Sequence, residues 1–237
     1  MQLCWTLLVL ALTLTAQDAV YAGRIIGGKK AKPHSRPYMA LVERNTPSGK
    51  KYCGGILLRD DFVLTAAHCH ASSYNVILGV HDINKPVNTQ NISVKQAFPN
   101  KEYDKNTLKN DILLLQLNAK AEINTYVSDI AMAGPEDANP TVCSVAGWGC
   151  SEGSGPRMTT VLMEVNVTLG SCGDQESDSY FYCCEGKHGV GKGDSGGPLV
   201  CDEKVYGVVS GKIDEILHLF SKVPNHKKWI EETMNSV

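Results

Sequence analysis

Short apolar runs alternate with turn residues along most of the chain, starting near Pro37. Runs of a few residues bounded by Gly, Pro, Asn, Asp or Ser are typical of the strands of an all-β sandwich or barrel. The pattern predicts strands that include Tyr38–Val42, Gly55–Leu58, Phe62–Thr65, Val76–Leu78, Ile92–Phe98, Ile112–Leu117, Val142–Gly147, Val161–Thr168, Leu199–Cys201, Val205–Ser210 and Leu217–Val223.

The one clear helical segment is at the C-terminal end, at about residues 225–236. Pro224 precedes this segment, and Ile230 and Met234 share a face at i,i+4 spacing. The stretch AGPEDANP, residues 133–140, interrupts the strand pattern near the middle of the chain and predicts a domain boundary there.

Residues 1–22 predict a signal peptide. An apolar run from Leu3 to about Leu14 is followed by small residues at Val20 and Ala22, where signal peptidase would cleave. Cleavage after Ala16, or a short buried helix or anchor, are the alternatives. The run is too short to span a bilayer comfortably, so we expect a secreted chain without a membrane span.

Composition narrows the class of protein further. Hydrophobic residues make up 43% of the 237 residues, and the formal net charge is −2. A nucleic-acid binder would usually carry a basic excess, which weighs against that class. Eight cysteines remain once Cys4 leaves with the signal peptide, and an even number in an oxidising compartment predicts disulfides. The cluster of His68, Cys69 and His70 lacks a CxxC or HExxH motif, so we expect no metal.

Three motifs carry candidate chemistry: LTAAHC ending at His68 and Cys69, NDILLL beginning at Asn110, and GDSGGP beginning at Gly193. Each alone has a structural explanation, but their combination in this order indicates a His–Asp–Ser hydrolase. The third motif also matches the GxSxG nucleophile elbow of α/β-hydrolases. That interpretation fails because elbow enzymes order their triad Ser, Asp, His, and because an apolar strand, not a helix, follows Pro198.

With these motifs, and with IIGG at Ile25 and AGWG at Ala146, the chain resembles the chymotrypsin-like serine proteases. It is most similar to the granzyme and mast-cell protease group, through ILGVHDI at Ile77 and NDILLLQL at Asn110. The resemblance implies two packed six-stranded antiparallel β-barrels with a C-terminal α-helix. The protease domain would be residues 25–237, with barrels at about 25–132 and 133–224.

The resemblance also implies a mechanism and an activation step. Ser195 would be the nucleophile, His68 the general base and Asp111 the residue that orients His68, with the backbone N–H groups of Gly193 and Ser195 as the oxyanion hole. Residues 23–24 would be an activation dipeptide. Its removal after Arg24 would free the Ile25 amino group to pair with Asp194. A dipeptidyl peptidase or a trypsin-like protease would perform this step.

By the same resemblance, Cys53 pairs with Cys69, Cys143 with Cys201 and Cys172 with Cys183. Cys150 and Cys184 are left over. We expect a fourth bridge between them, with free or intermolecular thiols as the alternative.

The substrate pocket departs from the trypsin pattern. Gly189, followed by Val190, stands where a trypsin-like enzyme has an Asp, which disfavours cleavage after Lys or Arg. His218 falls near the pocket base, where it would favour substrates with an acidic or polar side chain at the cleavage site; the alternative is an exposed loop histidine. Of the possible pockets, we expect a wide apolar one that accepts bulky side chains. Ser210 is expected to contact Asp111. The expected substrate-binding residues are Gly189, Val190, Lys192, Ser210, Gly211, Lys212 and His218.

A protease-fold binding protein with weak or no catalysis, caused by an altered pocket, is the alternative function. The family further implies storage in a secretory granule or secretion, protein or peptide substrates, serpin-type inhibitors and a monomer without cofactors. Sequons at Asn91 and Asn166 predict glycosylation.

Overall fold

A computed structural model describes residues 25, 27–149, 158–186, 189–213 and 216–237. Within these parts the chain forms thirteen strands and two short α-helices. They are β1 (Lys29–Lys30), β2 (Met39–Thr46), β3 (Gly49–Arg59), β4 (Phe62–Thr65), β5 (Ser73–Leu78), β6 (Gln90–Pro99), β7 (Leu113–Leu117), β8 (Val142–Gly147), β9 (Met163–Thr168), α1 (Gln175–Tyr180), β10 (Phe181–Glu185), β11 (Pro198–Cys201), β12 (Lys204–Ile213), β13 (Leu217–Lys222) and α2 (Lys227–Asn235).

The first barrel is a closed antiparallel sheet in the order β2-β3-β4-β7-β6-β5. In β5, alternate residues Tyr74, Val76 and Leu78 are buried, as expected for a strand with one face on the core. Strand β4 pairs with β7 along the whole length of β4, and both strands are buried at every position. His68 and Asp111 lie just beyond the ends of these two strands, so the best-buried part of the barrel fixes their positions.

The second sheet has the order β1-β9-β8-β11-β12-β13-β10. A bridge between Gly170 and Cys183, in which the Gly170 N–H donates to the Cys183 carbonyl at 2.9 Å, returns β10 to the end of β9. Six strands thereby close into a second barrel, and β1 pairs with β9 as a seventh strand. The predicted two-barrel fold class is confirmed.

Three elements, β1, β10 and α1, were not expected from the sequence pattern. Strand β10 follows α1 directly, without the turn residues that mark the other strands. Helix α1 is capped by Asp174, whose side chain accepts a hydrogen bond from the Ser177 N–H at 2.8 Å. The terminal helix is therefore not the only helix in the described parts of the chain.

Helix α2 agrees with the helix predicted at the C-terminal end, and a 3₁₀ turn at Pro224–His226 leads into it. Its two buried side chains, Ile230 and Met234, pack on the core of the first barrel. The Arg59 guanidinium binds the Met234 carbonyl at 2.9 Å and so ties the helix end to β3. No helix in the described ranges has the length and hydropathy to cross a membrane.

Candidate active site

His68 and Asp111 are joined by two hydrogen bonds. The Asp111 carboxylate accepts from His68 Nδ1 at 2.7 Å through one oxygen and from the His68 backbone N–H at 2.8 Å through the other. Because a carboxylate only accepts, Nδ1 carries the proton and Nε2 is left as the basic nitrogen. Asp111 is fully buried, whereas 23% of the His68 side chain is exposed. The pair can therefore present a correctly oriented base to solvent or substrate.

Ser195 is brought to this pair across the junction of the two barrels. Its carbonyl accepts a hydrogen bond from the Gly54 N–H at 2.7 Å, and Cys69 Sγ lies 3.9 Å from the same oxygen. Cys69 follows His68 and is bonded to Cys53. Among the described residues no hydrogen bond joins Ser195 Oγ to His68, and such bonds often shorten only when substrate binds.

The loop that carries Ser195 has the backbone of an anion-binding turn. Gly193 and Gly196 have φ angles of 102° and 80°, values that favour glycine. Neither the Gly193 nor the Ser195 N–H donates a hydrogen bond within the described ranges, so both are available to a ligand oxygen. The arrangement suits a group that carries negative charge next to the Ser195 hydroxyl.

His218 lies directly behind Gly189. A β-carbon on Gly189 would be 2.6 Å from His218 Nε2, and the imidazole is fully buried. The possibility that His218 is an exposed loop residue is therefore wrong. Its Nε2 lies 3.2 Å from the Gly186 carbonyl, and since a carbonyl only accepts, Nε2 carries a proton and donates it there.

Comparisons with known proteins decide the family. The family model described as Trypsin matches residues 25–230. The chain belongs to the trypsin family. It is 40% identical to cathepsin G of Homo sapiens, over 97% of this chain and 94% of that protein. Mast cell protease 8 of Mus musculus is 40% identical over 99% and 98% of the two chains, and Granzyme B(G,H) of Mus musculus is 40% identical over 97% and 99%.

A solved structure described as GrC superposes with a TM-score of 0.81, at 35% identity, and the match covers 89% of this chain and all of that one. The resemblance to granzymes and mast-cell proteases is confirmed, and the relatives indicate a serine endopeptidase.

In this trypsin-family protein the Ser210 hydroxyl is directed to the neighbouring strand. It lies 2.7 Å from Ser221 Oγ, and within the described residues no hydrogen bond joins it to Asp111. The register of β12 and β13 shifts between Val209 and Gly211. Ser210 occupies this irregularity, and its hydroxyl contacts the neighbouring strand.

The remaining expected pocket residues surround the same region. Val190 is buried in the apolar core of the second barrel, while the Lys192 side chain is exposed beside Ser195. Lys212 pairs with His218 across β12 and β13. Gly211 is covered from the first barrel by Leu108, whose Cδ1 would lie 2.9 Å from a β-carbon on Gly211.

Asp194 is buried below the Ser195 loop and takes part in no ion pair with the described residues. Its carboxylate accepts from the Gly149 N–H at 2.7 Å and the Gly191 N–H at 2.8 Å. Burial raises the pKa of Asp194 to about 6, and the two backbone N–H groups and the charge of Lys212 oppose this shift. Ile25 is also fully buried. Arg24 lies outside the described residues.

Several residues that shape the site escaped the sequence analysis. The backbone of Gly54 approaches Gly197 so closely that a β-carbon would lie 2.8 Å from Gly197 Cα, and Thr65 Oγ1 donates to the Gly54 carbonyl at 2.8 Å. Leu108 has a φ of 59°, which is rare for a leucine, and no local signal in the sequence predicts it. The glycine pair Gly54–Gly55 within an apolar strand is the sequence feature that could have indicated a close approach of another backbone segment.

Three disulfides are present: Cys53–Cys69, Cys143–Cys201 and Cys172–Cys183. Among the described cysteines, Cys184 is a free, buried thiol. Cys150, its expected partner, lies outside the described residues. Asn91 and Asn166 are both exposed on strands.

Proposed function

We propose that the chain is a secreted or granule-stored endopeptidase that cleaves peptide bonds through Ser195, His68 and Asp111. Ser195 Oγ attacks the carbonyl carbon while its proton passes to His68 Nε2. The C–N bond then breaks, the leaving amine takes that proton, and water hydrolyses the acyl-enzyme by the same route. This is the general mechanism of the Ser–His–Asp serine proteases. The observation that carries it is the double hydrogen bond between His68 and the buried Asp111.

The N–H groups of Gly193 and Ser195 would stabilise the oxyanion. Loss of one such donor typically costs about 100- to 1,000-fold in rate. Within the described ranges neither N–H donates a hydrogen bond to the protein, which supports this role.

Activation would follow removal of residues 1–22 and then of Gly23 and Arg24, by a dipeptidyl peptidase or a trypsin-like protease. The new Ile25 ammonium would pair with Asp194, a buried carboxylate that has no cationic partner within the described ranges. Burying an unpaired carboxylate is unfavourable. Pairing with the Ile25 ammonium would therefore stabilise the processed form of the protein. The exposed Asn91 and Asn166 would carry glycans. The protein would be a monomer, and serpin-type inhibitors would block it.

Specificity would be non-tryptic. Gly189 supplies no carboxylate for a basic side chain, and His218 closes the space behind it. The Nε2–H of His218 is used by the Gly186 carbonyl and is not presented to a substrate carboxylate. The pocket would therefore favour cleavage after an apolar residue such as Leu, Phe or Tyr.

The test is digestion of a peptide library by the form that begins at Ile25, with every cleavage site identified by mass spectrometry and Ser195→Ala as the control. Cleavage after apolar residues, absent in the variant and blocked by a serine-directed phosphonate, is the expected result. Cuts after Asp or Glu would overturn the pocket assignment. No cleavage and no phosphonate labelling in a folded, processed sample would favour the protease-fold binding protein.

A further inference from the structure

Arg44 is a cation on the core-facing side of the first barrel. In β2 the residues Ala40, Val42 and Arg44 share one face, because side chains alternate along a strand. They pair with the three buried residues of β5, which are Leu78, Val76 and Tyr74. The stripe of apolar side chains therefore ends in an arginine and a tyrosine that stand directly opposite each other.

The surroundings of the Arg44 guanidinium are unfavourable for a cation. Arg44 stands opposite Lys51 in the β2–β3 ladder, and like charges at such a position destabilise a sheet. Its Nε is buried without a hydrogen-bond partner among the described residues, and burial lowers the pKa of Arg44. A local conflict of this kind is typical of a residue that a functional contact requires.

The contact that Arg44 makes is with the backbone of His68. Its Nη1 donates to the His68 carbonyl at 3.2 Å, which is a charge-assisted hydrogen bond. At the other end of the residue, the His68 N–H donates to the Asp111 carboxylate at 2.8 Å. The 3₁₀ turn that contains His68 has only three residues, and such turns have poorer hydrogen-bond geometry than an α-helix. Bonds from outside the turn therefore add restraint to both polar groups of the His68 backbone.

Tyr74 binds the chain where it leaves this turn. The Tyr74 side chain is buried, and its hydroxyl accepts a hydrogen bond from the Ala71 N–H at 2.6 Å. The same oxygen lies 2.7 Å from His70 Nδ1. Because the Ala71 N–H can only donate, the hydroxyl proton remains available for His70 Nδ1. Arg44 and Tyr74 thus bind the segment from His68 to Ala71 from two adjacent strands.

We propose that Arg44 and Tyr74 are positioning residues for His68. By holding the His68 carbonyl and the turn after it, they keep Nε2 directed at Ser195 Oγ and at the leaving amine. A displacement of about 1 Å at a reacting group can cost about 100-fold in rate, so a partial loss of this restraint should be measurable. The inference rests on the proposed function, since it takes His68 as the general base and acid.

The first test compares the processed forms of Tyr74→Phe and Tyr206→Phe on a peptide 4-nitroanilide and on the matching 4-nitrophenyl ester. The leaving amine of the anilide needs a proton from His68, whereas 4-nitrophenolate leaves without one. Tyr74→Phe should therefore lower kcat/KM about tenfold on the anilide and less than about threefold on the ester. Tyr206 is a buried tyrosine of the second barrel whose hydroxyl has no hydrogen bond with the described residues, so its variant should change neither value more than about twofold. Labelling with the serine-directed phosphonate counts the active sites, so that a loss of folded protein is not read as a loss of rate.

Arg44 is tested with Arg44→Met and Arg44→Lys on the same two substrates, which have no residue after the scissile bond. Methionine keeps much of the aliphatic bulk, whereas lysine also keeps a charged donor for the His68 carbonyl. We expect Arg44→Met to show the anilide-selective loss and Arg44→Lys to recover most of it. Equal losses on the two substrates, or no loss, would overturn the proposal for Arg44 or for Tyr74, whichever variant shows them.

The second test does not need turnover. In the Ser195→Ala protein, proton NMR follows the low-field signal of the His68 Nδ1–H, which is bonded to Asp111 at 2.7 Å. Adding Tyr74→Phe or Arg44→Met should shift or broaden this signal, because the imidazole is held less firmly, and adding Tyr206→Phe should leave it unaltered. Such a change supports the positioning role even if the unchanged protein shows neither cleavage nor phosphonate labelling, in which case only the proposed function fails. An unaltered signal in Tyr74→Phe and Arg44→Met would contradict the inference.

Discussion

The imidazole of His218 packs against the backbone of Gly189. A β-carbon on Gly189 would lie 2.6 Å from Nε2 and 2.8 Å from Cδ2, distances that real β-carbons essentially never show. Gly189 also has a φ of 151°, which side chains rarely adopt. As long as position 218 is His, position 189 accepts only glycine without a shift of the ring.

Gly189→Ala should therefore lower kcat/KM on an apolar peptide by at least about tenfold, because the methyl group displaces the imidazole and distorts the pocket base. His218→Ala removes the colliding ring, so the double variant should lose less than the two single effects combined. Peptide kinetics on the four proteins measure this coupling. Gly170→Ala, where nothing lies within 4 Å of the new β-carbon, is the control. Strictly additive effects would mean that the two residues do not share the pocket base.

Asp111→Asn should reduce kcat by about 10⁴-fold, the loss typical of this substitution in a Ser–His–Asp triad. The amide would donate to His68 Nδ1 or leave it with the wrong tautomer, so that Nε2 is no longer the base. Steady-state kinetics measure the loss, and circular dichroism checks the fold. Asp104→Asn removes a charge from a partly exposed side chain of the same segment and should alter kcat less than twofold. A wild-type rate in Asp111→Asn would contradict the assigned triad.

The stability of the precursor that begins at Gly23 should depend on pH through Asp194. Its pKa is about 6 in the folded chain and 3.8 as a free side chain, so the folded state binds the proton more tightly. The free energy of unfolding should consequently fall as the pH rises from about 4 to 6, by roughly 2–3 kcal/mol. Urea unfolding of the precursor at pH 4 and pH 7.5, compared with Asp194→Asn, measures this difference.

After removal of Arg24, Asp194→Asn should lower the free energy of unfolding at pH 7.5, which is the opposite of its expected effect in the precursor. The Ile25 ammonium would then pair with the ionised carboxylate, and Asp194→Asn would lose that ion pair and the activity with it. Equal pH dependence in the precursor and its Asn variant would show that Asp194 does not titrate in this range.

Cys184 should be unreactive in the folded protein. Burial raises the pKa of its thiol to about 11, so almost no thiolate is present at pH 7.5, and the side chain is inaccessible. Iodoacetamide should leave Cys184 unlabelled in the native protein and label it after denaturation without reductant, as read by peptide mapping. Labelling that requires prior reduction would instead indicate that Cys184 is in a disulfide, as expected for a bridge to Cys150.

Gly54→Ala should reduce kcat/KM by about 100-fold. The new methyl group would push against the Gly197 backbone and move the loop that holds Ser195, and a displacement of about 1 Å at a reacting group can cost that factor. Peptide kinetics together with urea unfolding separate the two effects, because the stability loss should be only about 1–3 kcal/mol. A stability loss with unchanged kcat/KM would mean that the loop does not depend on this contact.

The sequence by itself was sufficient for the parts of this protein that local pattern or motif encodes. Short apolar runs bounded by turn residues predicted β4 and β8 with their observed bounds, because a strand that packs on a core needs apolar side chains wherever it lies. The motifs at His68, Asp111 and Ser195 likewise identified the candidate triad, since few other residue types can perform that chemistry.

Only the tertiary structure decided which distant residues meet. The contact of His218 with Gly189, the turn of Ser210 toward Ser221 and the free thiol of Cys184 depend on strand register and on loop paths. So does the contact of Arg44 and Tyr74 with the segment from His68 to Ala71. Strand pairing within each barrel and packing between the barrels set these contacts, and local sequence preference encodes neither.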